Sequence, residues 1–439
     1  MDLRSYETKL VGALAGLCAF ASAAHVLAAP CPNLPNPIYG SGGSAATATI
    51  GRIAAALRGL PEPITVFYHD PGACIGFKFF VDYVKSGTVV NDAGASPTTV
   101  KYWEADGTQR TCDAPTTLAS IPLDFSHMGN EADFCEEYRA DGLPAGFADF
   151  VTPVQTLNII TDKDSSQKSI SAEALYYIWG LGAVGANIQP WTDPTKIVLR
   201  TVGSFAHQFP ATAVFGADEG FTKVFYDHPS TPGRLGVAVS TNGASISAVV
   251  AGGATNPDAT LGYASGNAVD AATASVKTLA YQHFGQTCGY WPSSSDSAQD
   301  KINVRRGNYA LWTPGHLYAP VDANKNVVIE RGANASENAA IAERVATFIG
   351  LFAGTLDSPA GVTPPILERI IRAGDIPLCA MEVAREGTLG PIRSQAPTRP
   401  CGCYFEAIAT GNASSCRACS DDNGCEGSQH CRFGYCEAY

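Results

Sequence analysis

Charge is scarce in this 439-residue chain: only 16% of its residues are Asp, Glu, Lys or Arg, and the formal net charge is −12. Lysines and arginines form no run of any length, which argues against nucleic acid and anionic membrane surfaces as partners. A negative total leaves a small anionic ligand open, because local donors decide that. Signatures of catalysis are missing too. There is no Gly-x-Ser-x-Gly elbow, no Walker loop, no His-Glu-x-x-His and no carboxylate dyad that stands out, so the commonest hydrolase, NTPase and metallopeptidase readings lose their support. His69-Asp70 and Asp227-His228 are neighbours, but adjacent side chains in a strand point apart, and both pairs read as structural. No long apolar run occurs after residue 24.

Low charge here is not disorder. Hydrophobic residues make up 45%, which is ordinary for a folded protein, and the length predicts two compact lobes plus an appendage. Residues 1–29 read as a secretory signal: Arg4 and Lys9 precede an apolar run at 10–24, and the small residues Ala21, Ser22, Ala23, Ala28 and Ala29 follow. The run is too short to span a bilayer. Neither Cys18 nor Cys31 is preceded by the small residue of a lipoprotein signal. The expected product is therefore exported, periplasmic or extracellular (the cell surface included), with no membrane span once the signal is gone. Of the 14 cysteines, loss of Cys18 leaves an odd number, so at least one must be unpaired or bonded elsewhere. Disulfides are the default use for the others in such a compartment.

The stretch at 170–206 organises the chain. It reads as a helix capped by Ser171, a Gly-rich turn, Trp191-Thr192-Asp193-Pro194, then a strand at 196–199 that delivers Arg200. Gly203-Ser204 and an alternating apolar stretch with Phe205 and Phe209 follow. A strand ending in arginine before a Gly-Ser turn presents a guanidinium and main-chain N–H groups to an anion. Upstream, a strand, a Gly/Ser turn at 40–46 and an Ala-rich helix at 47–58 follow one another. A second unit has a strand at 64–68, the turn HDPGACIG at 69–76 and a helix at 77–85. An Asp106-Gly107 turn predicts a hairpin between strands at 100–104 and 108–112. A third unit has a strand at 121–125, a loop at 126–129 and an acidic helix ending near Tyr138. Such units argue for a parallel sheet with ligand loops at the carboxyl ends of its strands. The apolar run at 151–161 is long enough to cross into a second lobe, and 260–263 reads as the return, which makes a hinge and a cleft. Later segments include an extended aromatic run at 308–318 and helices at 339–352 and 366–374. From Cys379 the character changes, and seven cysteines crowd residues 401–439, so crosslinks rather than a core should hold this module. Zinc ligation by the tail is disfavoured against disulfides in an oxidising compartment. Asn334 and Asn412 stand in Asn-x-Ser patterns.

The order of these motifs over residues 38–318 resembles the phosphate-binding periplasmic proteins of ABC importers. The segment around Trp191 and Arg200, the loops at 40–45, 70–76 and 124–129, and Gly262-Tyr263 carry the likeness. The resemblance implies an α/β, two-lobe periplasmic binding protein (type II, Venus-flytrap) fold with a small disulfide-rich C-terminal module. Its parts would be a first lobe at 30–155 and 264–378, a second at 156–263 and the module at 379–439. It also implies a ligand site of Ser41, Gly43, Ser44, Ala45, Ala73, Cys74, Ser126, Arg200, Gly203 and Ser204, with no metal, no cofactor and no chemistry on the ligand. A phosphate-like oxyanion would be the ligand and an importer permease a partner, with the protein a monomer. Three departures from the family pattern stand out: Phe205-Ala206 replace Gly-Thr, Ala73-Cys74 replace serines, and Gly129 falls near the third-loop carboxylate. They motivate an alternative, a surface adhesion or scaffold protein that kept the fold and lost the ligand. A phosphate-ester hydrolase is a weaker third reading.

Overall fold

The computed structural model describes residues 31, 33–87, 99–113, 122–201, 204–216, 236–412 and 414–438. The expected signal at 1–29, Gly203, the Asp227-His228 pair and most of 215–227, through which the second lobe is expected to continue, lie outside the described residues.

A nine-stranded sheet positions everything else. Strands β1 (Pro37–Gly42), β2 (Thr65–His69) and β5 (Phe125–Met128) run parallel, with β1 between the other two. On the β2 edge lies the hairpin of β3 (Thr99–Trp103) and β4 (Gln109–Asp113), as the Asp-Gly turn predicts. On the other side β6 (Phe147–Asp162) pairs antiparallel with β13 (Trp312–Pro320), which pairs antiparallel with β5. Two short strands, β7 (Ser169–Ser171) and β12 (Ala280–Gln282), pair parallel with each other.

The sixteen residues of β6 are the spine. From Phe147 to Thr156 it pairs with β13, whereas from Leu157 to Asp162 it pairs with β10 (Gly262–Ser265) and β11 (Val276–Thr278). One strand thus serves two layers, and residues 152–162 are buried without a break because both faces of that stretch are covered. Its register with β13 shifts at Pro314/Gly315. Proline contributes no ladder N–H, and a bulge is where a sheet tolerates it. In the second layer β8 (Val198–Arg200) and β9 (Val237–Val239) run parallel, and Ile197 bridges to Leu261 beside β10.

Helices cover the faces. Helix α1 (Thr47–Arg58) buries Ile50, Ile53 and Leu57 against α6 (Ala335–Ala353) and α7 (Ile366–Arg372). Helix α2 (Ala73–Ser86) presents Phe77 to Phe80, Tyr138 and Tyr318, with ring centroids 6.3, 4.9 and 4.7 Å away. Ser171 caps α3 (Ala172–Ala186) by accepting the Ala174 N–H at 3.2 Å, as expected. Residues 205–209 are not extended: they open α4 (Phe205–Phe215), because Phe205 and Phe209 are four apart and share one helical face. The acidic segment after β5 is likewise not one helix but two single 3-10 turns, Ala132–Phe134 and Glu136–Tyr138, with the extended Cys135 between them. Helix α5 is Asn242–Gly253, capped by Thr241.

The C-terminal module holds β14 (Val383–Arg385) paired with β15 (Ile392–Ser394), α8 (Gly402–Thr410), and β16 (His430–Arg432) paired with β17 (Tyr435–Glu437). Its cysteines pair 379–401, 403–416, 419–431 and 425–436. Disulfides therefore account for the tail cysteines, and the zinc reading falls with them. In the body Cys31 bonds Cys112 and Cys74 bonds Cys135, which leaves Cys288 as the free cysteine among the described residues. The module is docked by Arg305, which lies 5.4 Å from the centroid of the Phe405 ring; within it the buried Glu437 carboxylate accepts the Cys403 and Tyr404 N–H groups at the start of α8. Among the described residues no helix is long and apolar enough to cross a membrane.

Candidate functional site

A cavity of about 220 Å³ lies where the carboxyl ends of β1, β2, β5, β8 and β9 converge. Ends of parallel strands are where α/β sheets leave a crevice. From the first layer the wall takes Gly43, Ser44, Ala45, Asp70, Pro71, Gly72, Ala73, Ile75, Lys101, His127 and Gly129. From the second it takes Arg200, Thr201, Ser204, Phe205, Ala206, Ser240, Thr241 and Asn242.

Four helix N-termini meet there. Gly43 precedes the 3-10 turn Ser44–Ala46 that leads into α1, Gly72 precedes α2, Ser204 precedes α4, and Thr241 precedes α5. Each N-terminus carries unpaired N–H groups and the positive end of a helix dipole. The turns have local causes. Gly72 sits at φ 130°, open only to glycine at low cost, and lets the chain reverse from β2 into α2. The first loop is fixed by the Gly43 N–H, which donates to the His127 carbonyl at 2.9 Å, and by the Tyr68 hydroxyl, which donates to the Gly43 carbonyl at 2.8 Å. Upstream of Arg200, the buried Trp191 donates its indole N–H to the Thr260 carbonyl at 3.2 Å, and Asp193 accepts the Thr195 N–H at 2.9 Å. These contacts seat the turn that feeds β8.

Arg200 is 3% exposed. Its backbone N–H donates to the Tyr263 hydroxyl at 2.9 Å, one terminal nitrogen donates to the Asn242 side-chain carbonyl, and the other donates to the Ser240 carbonyl at 2.9 Å. Its Nε has no partner among the described residues, and no described carboxylate pairs with it. Burial pulls its pKa below the ordinary arginine value, partly offset by Tyr263. A guanidinium so placed is a desolvated charge lacking its counter-ion. The second cation, Lys101, is committed: its Nζ reaches Asp70 Oδ2 at 2.6 Å, and Thr47 donates to the same oxygen at 3.2 Å. His127 is buried, and that burial, helped by nearby His316, holds its pKa down to about 3. Its ring lies 5.5 Å from that of Phe352, on the far side of the sheet from α2.

Of the residues expected at the site, Gly43, Ser44, Ala45, Ala73, Arg200 and Ser204 line this one cavity. Ser41, Cys74 and Ser126 do not. Ser41 and Ser126 are cross-strand partners, fully buried inside the sheet beneath α2, because strand alternation turns them away from the loop ends. Cys74 faces inward to its disulfide with Cys135. Residues 125–128 are the strand β5 rather than a loop, so Asp124 precedes it at the end away from the cleft and pairs with Arg331 at 2.7 and 2.9 Å. Sequence reasoning missed Lys101, which reaches the cleft from a hairpin edge with no local signature. It also missed Asn242, although Ser240-Thr241-Asn242 is a helix-cap signal that could have marked it.

No protein-family model and no curated protein matches the chain. Among solved structures it is similar to a phosphate-binding protein from Stenotrophomonas maltophilia, at 13% identity and TM-score 0.44, over 86% of this chain and 99% of that one. It is similar to an ABC-type phosphate transport receptor from Vibrio cholerae, at 14% identity and TM-score 0.41, over 77% and 99% of the two chains. It is also similar to the reduced OxyR regulatory domain from Pseudomonas aeruginosa, at 9% identity and TM-score 0.35, over 72% and 100%. The fold described here rests on its own strand order, and these likenesses add nothing about a ligand.

Proposed function

We propose that this protein is a solute-binding protein that captures a small anion in the cleft between its two layers. The observation that carries this is the convergence of four helix N-termini on a buried Arg200 that has no carboxylate partner among the described residues. Backbone N–H groups and a desolvated guanidinium form an anion cradle that water serves poorly. Arg200 supplies the charge; Ser44 and the N–H groups of the first turns of α2 and α4 supply direction, the Ser204 hydroxyl being donated to the Thr201 carbonyl at 2.8 Å. The carboxylate in the described wall, Asp70, is engaged by Lys101 and Thr47, so it repels an anion less than a free one would. The same engagement withholds it as a general base, in keeping with binding without turnover. Export and delivery to an importer permease belong to this reading as its cellular setting, supported by the signal-like sequence at 1–29.

Calorimetric titration with inorganic phosphate and sulfate, followed by monoester and alkylphosphonate anions, tests the reading. Binding by at least one anion, weakened about 10- to 150-fold in Arg200→Ala, is expected from the loss of a charged hydrogen-bond donor worth about 1.5–3 kcal/mol. Ser44→Ala should weaken it less. Absence of heat with every anion would remove the proposal.

A further inference from the structure

The cavity wall mixes charged and apolar side chains. Beside Arg200, Lys101 and Asp70 it carries Pro71, Ala73, Ile75, Phe205 and Ala206. Two of these side chains are informative. The Phe205 ring lies on Gly129 so closely that a Cβ at position 129 would be 2.6 Å from its Cγ. No polar side chain fits at 129 while the ring is there, and ring carbon offers neither donor nor acceptor. Ile75, on the first turn of α2, is 47% exposed at the cavity wall. A large aliphatic side chain left in water beside an anion cradle gains from being covered, by about 25 cal/mol for each Å² removed from solvent.

Size points the same way. The cavity measures about 220 Å³, whereas about 10–15 Å³ of such space is enough to hold one water molecule, so there is room for more than a bare oxyanion. A bare oxyanion on Arg200 would leave water against Ile75, the exposed apolar side chain of the wall. Resting on the small-anion reading above, we infer that the ligand is a small organic anion. Its single anionic head group sits on Arg200 and the helix N-termini, and a short apolar body lies against Ile75 and Phe205.

The test is calorimetry on the full chain with two homologous series, alkylphosphonates and straight-chain carboxylates of one to five carbons, beside inorganic phosphate. One series should tighten by about fourfold for each added methylene, the factor that corresponds to about 0.8 kcal/mol per buried CH₂. Its propyl member should bind more tightly than phosphate. Ile75→Asn, at a half-exposed position that tolerates a polar side chain, should flatten the series. Phe205→Leu, checked for an unchanged melting temperature, should do so more weakly. If phosphate binds and every added carbon weakens binding, the organic-anion inference is wrong while the small-anion reading stands. If neither series nor phosphate gives heat, both are wrong. A chain-length gain that survives Ile75→Asn and Phe205→Leu alike would also overturn the inference, because the apolar body would then sit elsewhere.

Discussion

The α/β body and the C-terminal module are held together by different physics. The body buries aromatic and aliphatic side chains in large clusters around Phe77, Trp179, Tyr263 and Trp312, and it has two disulfides among its described residues. The module has four, closing loops with separations of 22, 13, 12 and 11 residues, and only Cys401, Cys403, Phe405 and Cys436 among its apolar residues from 401 onward are buried. A core that closes by burial can leave its loop ends free to line a cleft, which is what the strand ends around Arg200 do. A segment too poor in aliphatics for a core keeps its shape through covalent links. The site and the tail therefore ought to fail separately.

The sharpest separation comes from Phe77→Ala. It removes a fully buried ring that touches three other aromatics and should cost the body about 3–5 kcal/mol. Thermal unfolding should shift accordingly, while hydrogen exchange in 419–436 stays unchanged. The converse is the double change Cys425→Ala/Cys436→Ala, which should cost the module about 2–5 kcal/mol and raise its exchange rates, with the body's main transition and anion affinity unaltered. A common shift in both regions in either experiment would break the distinction.

A smaller effect is expected from acid, and it belongs to the body. Burial holds the pKa of His69 down to about 4 and those of His127 and His207 down to about 3. Unfolded histidine takes up its proton near pH 6.5, so the unfolded state binds more protons between about pH 6.5 and 3. Stability should fade as pH falls through that window, by up to about 1.4 kcal/mol per pH unit for each group. Asp375 opposes this. Burial raises its pKa to about 7, against the hydrogen bonds from Thr49 and Gln155, so its contribution is full below the unfolded carboxylate value and declines as pH rises towards 7. Three histidines outweigh one carboxyl, so the melting temperature should still fall as pH drops below about 6.5, and Asp375→Asn should steepen that fall between about pH 7 and 4. An unchanged slope in the variant would show that Asp375 is not buried as a neutral acid.

Much of the frame was legible in the sequence because it follows local periodicity and turn chemistry. The Ala-rich run gave α1 at the expected residues, Asp106-Gly107 gave the β3–β4 hairpin, Ser171 capped its helix, and the long apolar run became a strand shared by two layers. Elements set by tertiary neighbours were harder to read. Phe205 and Phe209 looked like part of an extended stretch, yet the Ser204 turn and their spacing of four make a helix. The site was partly legible: glycines and serines at strand ends go to the loops, so Gly43, Ser44, Arg200 and Ser204 meet. Ser41 and Ser126 did not follow, since one residue's difference along a strand decides between loop end and sheet interior. Lys101 and Asn242 arrive from elements distant in sequence, and only the folded sheet brings them to the cleft.

The central claim is that Arg200 awaits a negative guest. Titration calorimetry of the full chain and of Arg200→Ala, each against inorganic phosphate and propylphosphonate, addresses it most directly. The expected result is saturable heat for the unaltered protein and a loss of about tenfold or more in affinity for the variant at an unchanged melting temperature. Equal affinities in the two proteins, or no heat in either, would contradict it.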